Sequence, residues 1–556
     1  MIKIVSTQQM RAIEQAANAA GLSYAQMMEN AGRAVAQTVR QLLGDNQAGK
    51  RVIVLVGRGN NGGDGLVAAR LLKQESDIEV VCYLAAMRSD TDAVYVSARD
   101  SNVALETVER DQDFHNLAKL VASADVLVDA LLGTGVRLPV GGLEREILAA
   151  TGSALQARRN AKSLGALEWV SSPRPSPGMS PQIVAVDCPS GLDCDTGAVD
   201  ETTLSANVTV SFAAIKRGCL AFPGADRCGE LVSADIGIPS TLPELASINL
   251  ELVTAKDVAS LLPIRSRSGH KGAFGKVVVV AGSRNYVGAA SLAGRAAYRV
   301  GAGLVEMAVP ESIYPILASG FPEAIWLLLP EANGAIASRG EPIAQAAIRE
   351  CDALVIGPGL GQHKETAGFL RNLFRARHNW QRHPTRHSGH EMFSPSVVID
   401  ADALNLLAEI PEWWTLLPKS AVITPHVGEM ARLSRLSRES VLAQRMEIAS
   451  EKAREWDCVV VLKGAHTVIS EPAGKTVVLP FATDALAKAG TGDVLTGYIG
   501  GLMAQGCASF NAAITGAFIH GLAGKLAGQE SSTRSVLASD ILRSTSESIV
   551  VTEPRT

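Results

Sequence analysis

The run Ala485-Leu-Ala-Lys-Ala-Gly-Thr-Gly-Asp-Val-Leu-Thr-Gly497 has the residues needed to phosphorylate an alcohol. Gly490 and Gly492 lead into Asp493, and an apolar helical run follows to Leu502. A Gly-rich turn at a helix start leaves backbone N–H groups without carbonyl partners, so it can hold an anion. An aspartate at that turn can take the proton from a hydroxyl while the amides hold the phosphoryl group. The same residues also suit a tight turn closed by an acidic cap.

A second set of polar residues sits in the first half of the chain. The run Arg51–Leu72 reads as a buried strand, a turn holding Asn60, Asn61, Gly62, Gly63 and Asp64, and a helix. Gly57, Gly59 and Gly62 satisfy GxGxxG, and Asp77 and Glu79 stand near the next strand, which by the letter is a dinucleotide fingerprint. Asn60 and Asn61 add side-chain amides, however, and Asp64 brings a carboxylate to the helix start, where pyrophosphate would be repelled. Amide oxygens and a carboxylate suit a hard cation or a polar ring better. Asp129 precedes the Gly-rich loop Gly133-Thr-Gly135, and Asp187 and Ser190 end a further strand. Any one of these alone could be a helix cap. Ligands bind at the carboxyl ends of open parallel sheets, so together the three strand ends point to one pocket.

The elements that must position these residues alternate. Ser6 to Leu43 reads as helices with Met10, Ile13, Ala17, Met27, Ala31 and Val35 on one face. Strand and helix alternation closes a first half near Pro239, and a second unit begins near Ile248. There, Ser268–Gly275, with His270 and Lys271, suits either closure over an anion or a flexible turn. Ala353–Gly361, Val397–Asn405, Ala421–Glu429 and Cys458–Thr467 are β-branched runs ending in Gly, Pro or polar clusters, the pattern of parallel strands feeding loops. His426 in that series is read as a ligand contact, with a capping or packed histidine as the alternative. Two stretches interrupt the pattern. Gly152–Ser180 lacks periodicity and reads as an exposed insertion; Arg375–Pro395 holds His378, His383, His387 and His390 but reads as a mobile loop, not a metal site.

The totals fit this picture. A chain of 556 residues is too long for one core, and 47% hydrophobic with 51 glycines and 4% aromatics is an α/β profile. A net charge of −4 gives no reason to expect nucleic acid or an anionic membrane as partner. Eight scattered cysteines without a CxxC pair, and an N-terminus without a targeting pattern, point to a reducing cytoplasm. No apolar run approaches the length that spans a bilayer.

In this order the motifs resemble the bifunctional NAD(P)H-hydrate repair enzymes, an epimerase fused to an ADP-dependent dehydratase. Gly59–Asp64, Asp129–Gly135 and Asp187–Gly191 match the epimerase; His270–Gly272, Gly357–Gly361, Thr424–Glu429, Lys463–Thr467 and Gly490–Asp493 match the dehydratase. The resemblance implies a Rossmann-like three-layer α/β/α domain over 1–245 and a ribokinase-like α/β domain over 246–556. It implies that Asn60, Asn61, Gly62, Gly63 and Asp64, with Gly133, Thr134, Gly135, Val136, Arg137, Leu138 and Pro139, hold the hydrated nucleotide. Asn61, Asp129 and Ser190 would coordinate K⁺, and Asp187, assisted by Lys216, would move protons. In the second half Lys463, Gly464, Ala465, His466, Thr467 and Gly492 would bind ADP, delivered with Mg²⁺. Ala290, Gly359 or Gly361, His426 and Asp493 would contact NADHX or NADPHX, with Asp493 as the base. A cytoplasmic homo-oligomer without nucleic-acid or membrane partners is expected.

Three rivals make different predictions. An ATP-using small-molecule kinase would share Gly490–Asp493 but has no use for the Asn-rich first half. A dehydrogenase rests on GxGxxG alone and predicts NAD(P)⁺ reduction by an alcohol. A non-catalytic nucleotide-binding scaffold predicts that Asp493→Ala behaves like the parent.

Overall fold

A computed structural model of the chain describes residues 1–163, 180–380, 394–419 and 421–553. They divide into two compact units, Ile2–Ile248 and Asn249–Thr556, the second also taking Met1.

In the first unit the strands are β1 (Ile2–Val5), β2 (Arg51–Val56), β3 (Glu79–Leu84), β4 (Ala104–Thr107), β5 (Val126–Ala130), β6 (Gln182–Val186), β7 (Val208–Phe212), β8 (Ile215–Lys216) and β9 (Glu230–Ala234). Seven form a sheet in the order β4-β3-β2-β5-β6-β7-β9, parallel throughout. The central strands are continuous β-branched runs because helices cover both faces; Val52–Val56 and Val126–Ala130 are buried at every position. From β2 the chain steps outward to β3 and β4, then crosses to β5. The loops after β2 and β5 therefore diverge above the sheet, and this gap is where a ligand fits. β1 pairs in parallel with β8, setting Val5 opposite Lys216. The helix Thr7–Ala19 follows β1; a Ser6/Gln9 capping box starts it, and Met10, Ile13 and Ala17 form its buried stripe.

The second unit repeats the plan with β10 (Leu250–Leu252), β11 (Lys276–Val280), β12 (Leu304–Pro310), β13 (Ile325–Leu329), β14 (Glu331–Ala332), β15 (Ala335–Ile336), β16 (Ala353–Ile356), β17 (Ser396–Ile399), β18 (Val422–Ile423), β19 (Val459–Leu462), β20 (Val468–Ser470) and β21 (Thr476–Val478). Their order is β13-β12-β11-β16-β17-β18-β19-β20-β21-β10, with β14 and β15 a separate hairpin. The ladders from β13 to β19 are parallel, while β20 is antiparallel to both neighbours. The switch point here lies between β11 and β16. The helix Thr491–Ala504 lies on the helix Val287–Arg299; a Cβ at Gly497 would stand 2.1 Å from Ala293 O, so only glycine permits this approach.

Three expectations need correction or placement. Gly152–Ser180 is not wholly an insertion loop, because the helix Gly142–Ser163 runs through its first part. Leu155 is buried there, and Arg158 donates to Val121 O at 2.9 Å and Ala124 O at 2.7 Å, so tertiary bonds hold a segment without clean periodicity. Residues 164–179 lie outside the described residues, as do His383, His387 and His390; His378 sits in the short turn Arg377–Trp380. Glu79 begins β3, at the opposite end from the ligand loops, and its carboxylate pairs with Arg51 at 2.8 Å. It cannot serve as the ribose-binding acid that the GxGxxG reading would require.

Candidate active sites

In the first unit the expected residues converge at the switch point. The helix Asn60–Glu75 starts directly after β2, with Asn61, Gly62, Gly63 and Asp64 buried and Asn60 exposed at its tip. Leu132, just past β5, links Asn61 to Ser190, which in turn holds Asp129. Asn61 Nδ2 donates to Leu132 O at 3.0 Å, and Leu132 N–H donates to Ser190 Oγ at 2.9 Å. Ser190 also gives its N–H to Asp129 Oδ2 at 2.9 Å and its hydroxyl to Asp129 Oδ1 at 2.5 Å. Asp129 is fully buried with no cation beside it among the described residues, and burial raises its pKa. Oxygens of Asn61, Asp129 and Ser190 around an uncompensated carboxylate fit a monovalent cation. The loop Gly133–Pro139 borders this point: a Cβ at Gly133 would lie 3.3 Å from Asn61 Cγ. Thr134, Val136 and Leu138 are half-buried, while Gly135, Arg137 and Pro139 are exposed.

Asp187 follows β6 with φ of 64°, a left-handed conformation that costs a non-glycine residue about 1 kcal/mol or more. That conformation turns its Oδ1 to the N–H of Phe212 at 3.1 Å and to the ammonium of Lys216. Burial acts to depress Lys216, but the Asp187 carboxylate prevails and raises its pKa, keeping it charged. Two further carboxyls face this pair. Burial raises Asp64 well above the usual range, with Asp187 and Glu14 adding to the effect; burial likewise raises Glu14. Glu14 escaped sequence reading because it lies on the first helix, far from any glycine motif. Arg11, one turn before it, reaches within 3.8 Å of where a Gly135 Cβ would be. A polar half-turn on an otherwise amphipathic helix was the only signal.

In the second unit Lys463, Gly464, Ala465, Thr467 and Gly492 line a cavity of about 580 Å³, together with His426, Lys488, Thr491 and His520. His466 does not: its φ of 50° turns the ring inward, where it is buried with Nδ1 at 3.1 Å from Leu479 O. Arg445, unpredicted, braces the loop by donating to Ala465 O and, at 3.2 Å, to Leu462 O. Gly490 caps the helix Thr491–Ala504 with φ of 90°, and among the described residues no side chain makes a capping hydrogen bond there. Asp493, in that first turn, is half-buried and makes no ion pair or side-chain hydrogen bond among the described residues. Burial, then the charge of Asp400, raises its pKa to about 7, against the opposing pull of Lys463.

His426 is a helix cap that also borders the cavity. Its Nδ1 accepts from Gly428 N at 2.9 Å and Glu429 N at 3.2 Å, capping the next helix, while the ring lines the cavity. Burial and the charge of Lys463 lower its pKa to about 4, so it is neutral near pH 7. Gly359 and Gly361 both have positive φ; Ser283 donates to Gly359 O at 2.8 Å across the switch point, and Gly361 N–H donates to Asp402 at 2.9 Å. Ala290 is fully buried beside Gly282. His270 and Lys271 do not line this cavity; Lys271 opens a short 3₁₀ turn.

In the first unit polar residues thus gather past the ends of β2, β5 and β6; in the second a cavity opens past the ends of β18 and β19, beside the helix Thr491–Ala504. Residues 277–547 match the NAD(P)H-hydrate dehydratase family, and residues 24–218 match the family described as YjeF-related protein N-terminus. The bifunctional NAD(P)H-hydrate repair enzyme of Moorella thermoacetica is 36% identical over 525 residues, covering 93% of this chain and 90% of its own. That of Escherichia coli is 33% identical over 534 residues, 96% and 90% respectively. The crystal structure of the ADP/ATP-dependent NAD(P)H-hydrate dehydratase from Bacillus subtilis, co-crystallised with ATP and Mg²⁺, is 28% identical. It covers 55% of this chain and 100% of that one, with a TM-score of 0.45. The chain belongs to the bifunctional NAD(P)H-hydrate repair enzymes. It is therefore an enzyme, and no helix among its described residues is long and apolar enough to cross a membrane.

Proposed function

We propose that this chain restores hydrated NAD(P)H in two steps, with residues 1–245 interconverting the R and S hydrates and residues 246–556 dehydrating the S form. In the first site Asp187, with Lys216 as its proton partner, protonates the departing C6 hydroxyl as the ring nitrogen lone pair expels it. The same carboxyl takes the proton back when water adds from the other face. Asn60–Asp64 and Gly133–Pro139 hold the nucleotide, and Asn61, Asp129 and Ser190 form a K⁺ site. Bound there, K⁺ would supply the positive charge that buried Asp129 lacks.

In the second site ADP, arriving as its Mg²⁺ complex, occupies the cavity between Lys463–Thr467 and Gly492. His466 would serve this loop through its backbone, since its ring turns away. The hydrate lies towards Ala290, Gly359, Gly361 and His426. Asp493 removes the C6 hydroxyl proton; the oxygen attacks the β-phosphorus of ADP, and AMP leaves. The new phosphate ester departs as phosphate with loss of a ring proton, regenerating NAD(P)H. The observation that carries this reading is Asp493 itself, an unpaired carboxyl of pKa about 7 beside the glycine that lines the cavity. A base tuned near the working pH gives the best compromise between ionised fraction and proton affinity. A cytoplasmic setting and homo-oligomeric assembly belong to the same reading.

Separating the R and S hydrates chromatographically after incubation tests it. Without ADP the protein should interconvert the two; with ADP, Mg²⁺ and K⁺ both should vanish as AMP accumulates in equal amount. Consumption of ATP with phosphorylation of an unrelated alcohol, and no effect on either hydrate, would favour the small-molecule kinase.

A further inference from the structure

We infer that Asp400 is a positioning residue for the dehydration step, tying the nucleotide-side lysine to the helix turn that presents Asp493. The inference rests on the function proposed for the second site. Asp400 follows β17 and occupies the cap position of the helix Ala401–Ala408, yet its side chain makes no capping bond. Ala401 has a φ of 52°, rare for a residue with a Cβ, and such strain persists only where the surroundings enforce it. The carboxylate, fully buried, is directed elsewhere. Its Oδ1 accepts from Lys463 Nζ at 2.6 Å, and its Oδ2 lies 2.5 Å from Thr496 Oγ1. Thr496 stands one turn after Asp493 on the same helix, and its hydroxyl is also 3.0 Å from Gly492 O. A Cβ at Gly492 would come within 3.5 Å of Lys463 Nζ and 3.8 Å of Asp400 Oδ2. One carboxylate thus fastens the strand end that carries the nucleotide loop to the turn that carries the base.

The arrangement has an electrostatic consequence. Lys463 forms its close ion pairs with Asp400 at 2.6 Å and, more distantly, Glu429 at 3.7 Å, and acts on Asp493 only at longer range. The charged groups acting on Asp493 are Asp400 and Asp402, which oppose its ionisation, and Lys463, which favours it. His520 also lines the cavity; its pKa, lowered to about 4 by burial, leaves it neutral near pH 7. Removing the Asp400 charge while keeping its shape should free Lys463 to act on Asp493.

The test is the pH profile of ADP-dependent dehydration of the S hydrate by the full chain, for parent, Asp400→Asn, Thr496→Ser and Thr496→Val. In Asp400→Asn the acidic limb should move down by about one pH unit, because the opposing charge is gone and the lysine is uncompensated. The KM for ADP should rise, as Lys463 loses its anchor. Thr496→Val, which keeps every charge, should raise the KM for ADP without moving the limb, and Thr496→Ser should behave as the parent. A folded Asp400→Asn protein that merely loses rate, with its limb and KM unmoved, would overturn the inference. So would a Thr496→Val protein indistinguishable from the parent. A parent without ADP-dependent turnover would overturn the functional reading and the inference with it, and is told apart by the parent's own profile.

Discussion

In the first unit Asp187 accepts from the buried ammonium of Lys216, whereas in the second Lys463 bonds to Asp400 and leaves Asp493 without a partner. Each unit has a lysine bonded to an aspartate just past a parallel strand, Asp187 after β6 and Asp400 after β17. What differs is which carboxylate receives the lysine. A direct pair holds charge and proton together in one unit, which suits a group that must give a proton and recover it. A lysine diverted to a second carboxylate leaves the first with its pKa raised to about 7. That suits a one-way base. The difference teaches that a carboxylate's task follows from where the neighbouring positive charge is anchored, more than from the motif around it.

The largest expected effect comes from removing the proposed base, Asp493, which the second unit leaves unpaired. Asp493→Asn should cost about 10²–10⁴-fold in ADP-dependent dehydration while epimerisation proceeds at the parent rate. Loss of both activities in a folded protein would mean the two sites are not separate. Next, Lys216→Met leaves the Asp187 carboxylate without its counter-charge. Denaturant unfolding of this variant should show a loss on the order of 3–5 kcal/mol, as for other broken buried pairs, together with loss of epimerisation. Gly497→Ala should cost roughly 1–3 kcal/mol, read as a lower midpoint, because the new methyl meets Ala293 O under the helix that carries Asp493.

A smaller effect concerns stability against pH. The folded pKa of Asp493 lies above its unfolded value of 3.8, so the folded state binds the extra proton between about pH 4 and 7; stability falls as pH rises through that window and is level above it. Asp493→Asn should therefore melt higher than the parent at pH 8, with the gap narrowing steadily as pH falls from about 7 towards 4. Dehydration by the parent should decline over the same fall in pH, as the base takes up its proton. Smallest of all, Glu79→Gln should change stability by no more than about 1 kcal/mol and leave both activities intact, since its partner Arg51 is a surface pair remote from the ligand loops.

Residues whose geometry admits only one amino-acid type were legible in the sequence. Gly490 with φ of 90°, or Gly57, whose Cβ would stand 1.8 Å from Leu131 O, announce a turn and a close approach that no other residue allows. Asn61, Asp129 and Ser190 stood out as polar residues at or after the ends of strands in one parallel sheet, but their grouping around a cation came from the family resemblance alone. The GxGxxG spacing misled because it reports the turn and not what the turn holds; Asp64 and the position of Glu79 decide that. Asp400 and Thr496 are 96 residues apart and Asp400 and Lys463 are 63 apart, and no local pattern marks such a partnership. Glu14 and Arg445 act from helices whose only visible signal is amphipathicity. The inward turn of His466 depends on a backbone angle that a histidine rarely adopts.

The most direct measurement supplies pure R hydrate of NADH with ADP, Mg²⁺ and K⁺, and follows the absorbance of the restored reduced ring. It compares the parent, Asp187→Asn, Asp493→Asn, and an equal mixture of the two variants. Two sites working in sequence predict a fast initial rate for the parent, slow rates for each variant alone, and recovery on mixing, because each variant supplies the step the other lacks. A mixture no faster than the slower variant, or an Asp493→Asn protein that restores the ring at the parent rate, would contradict the account.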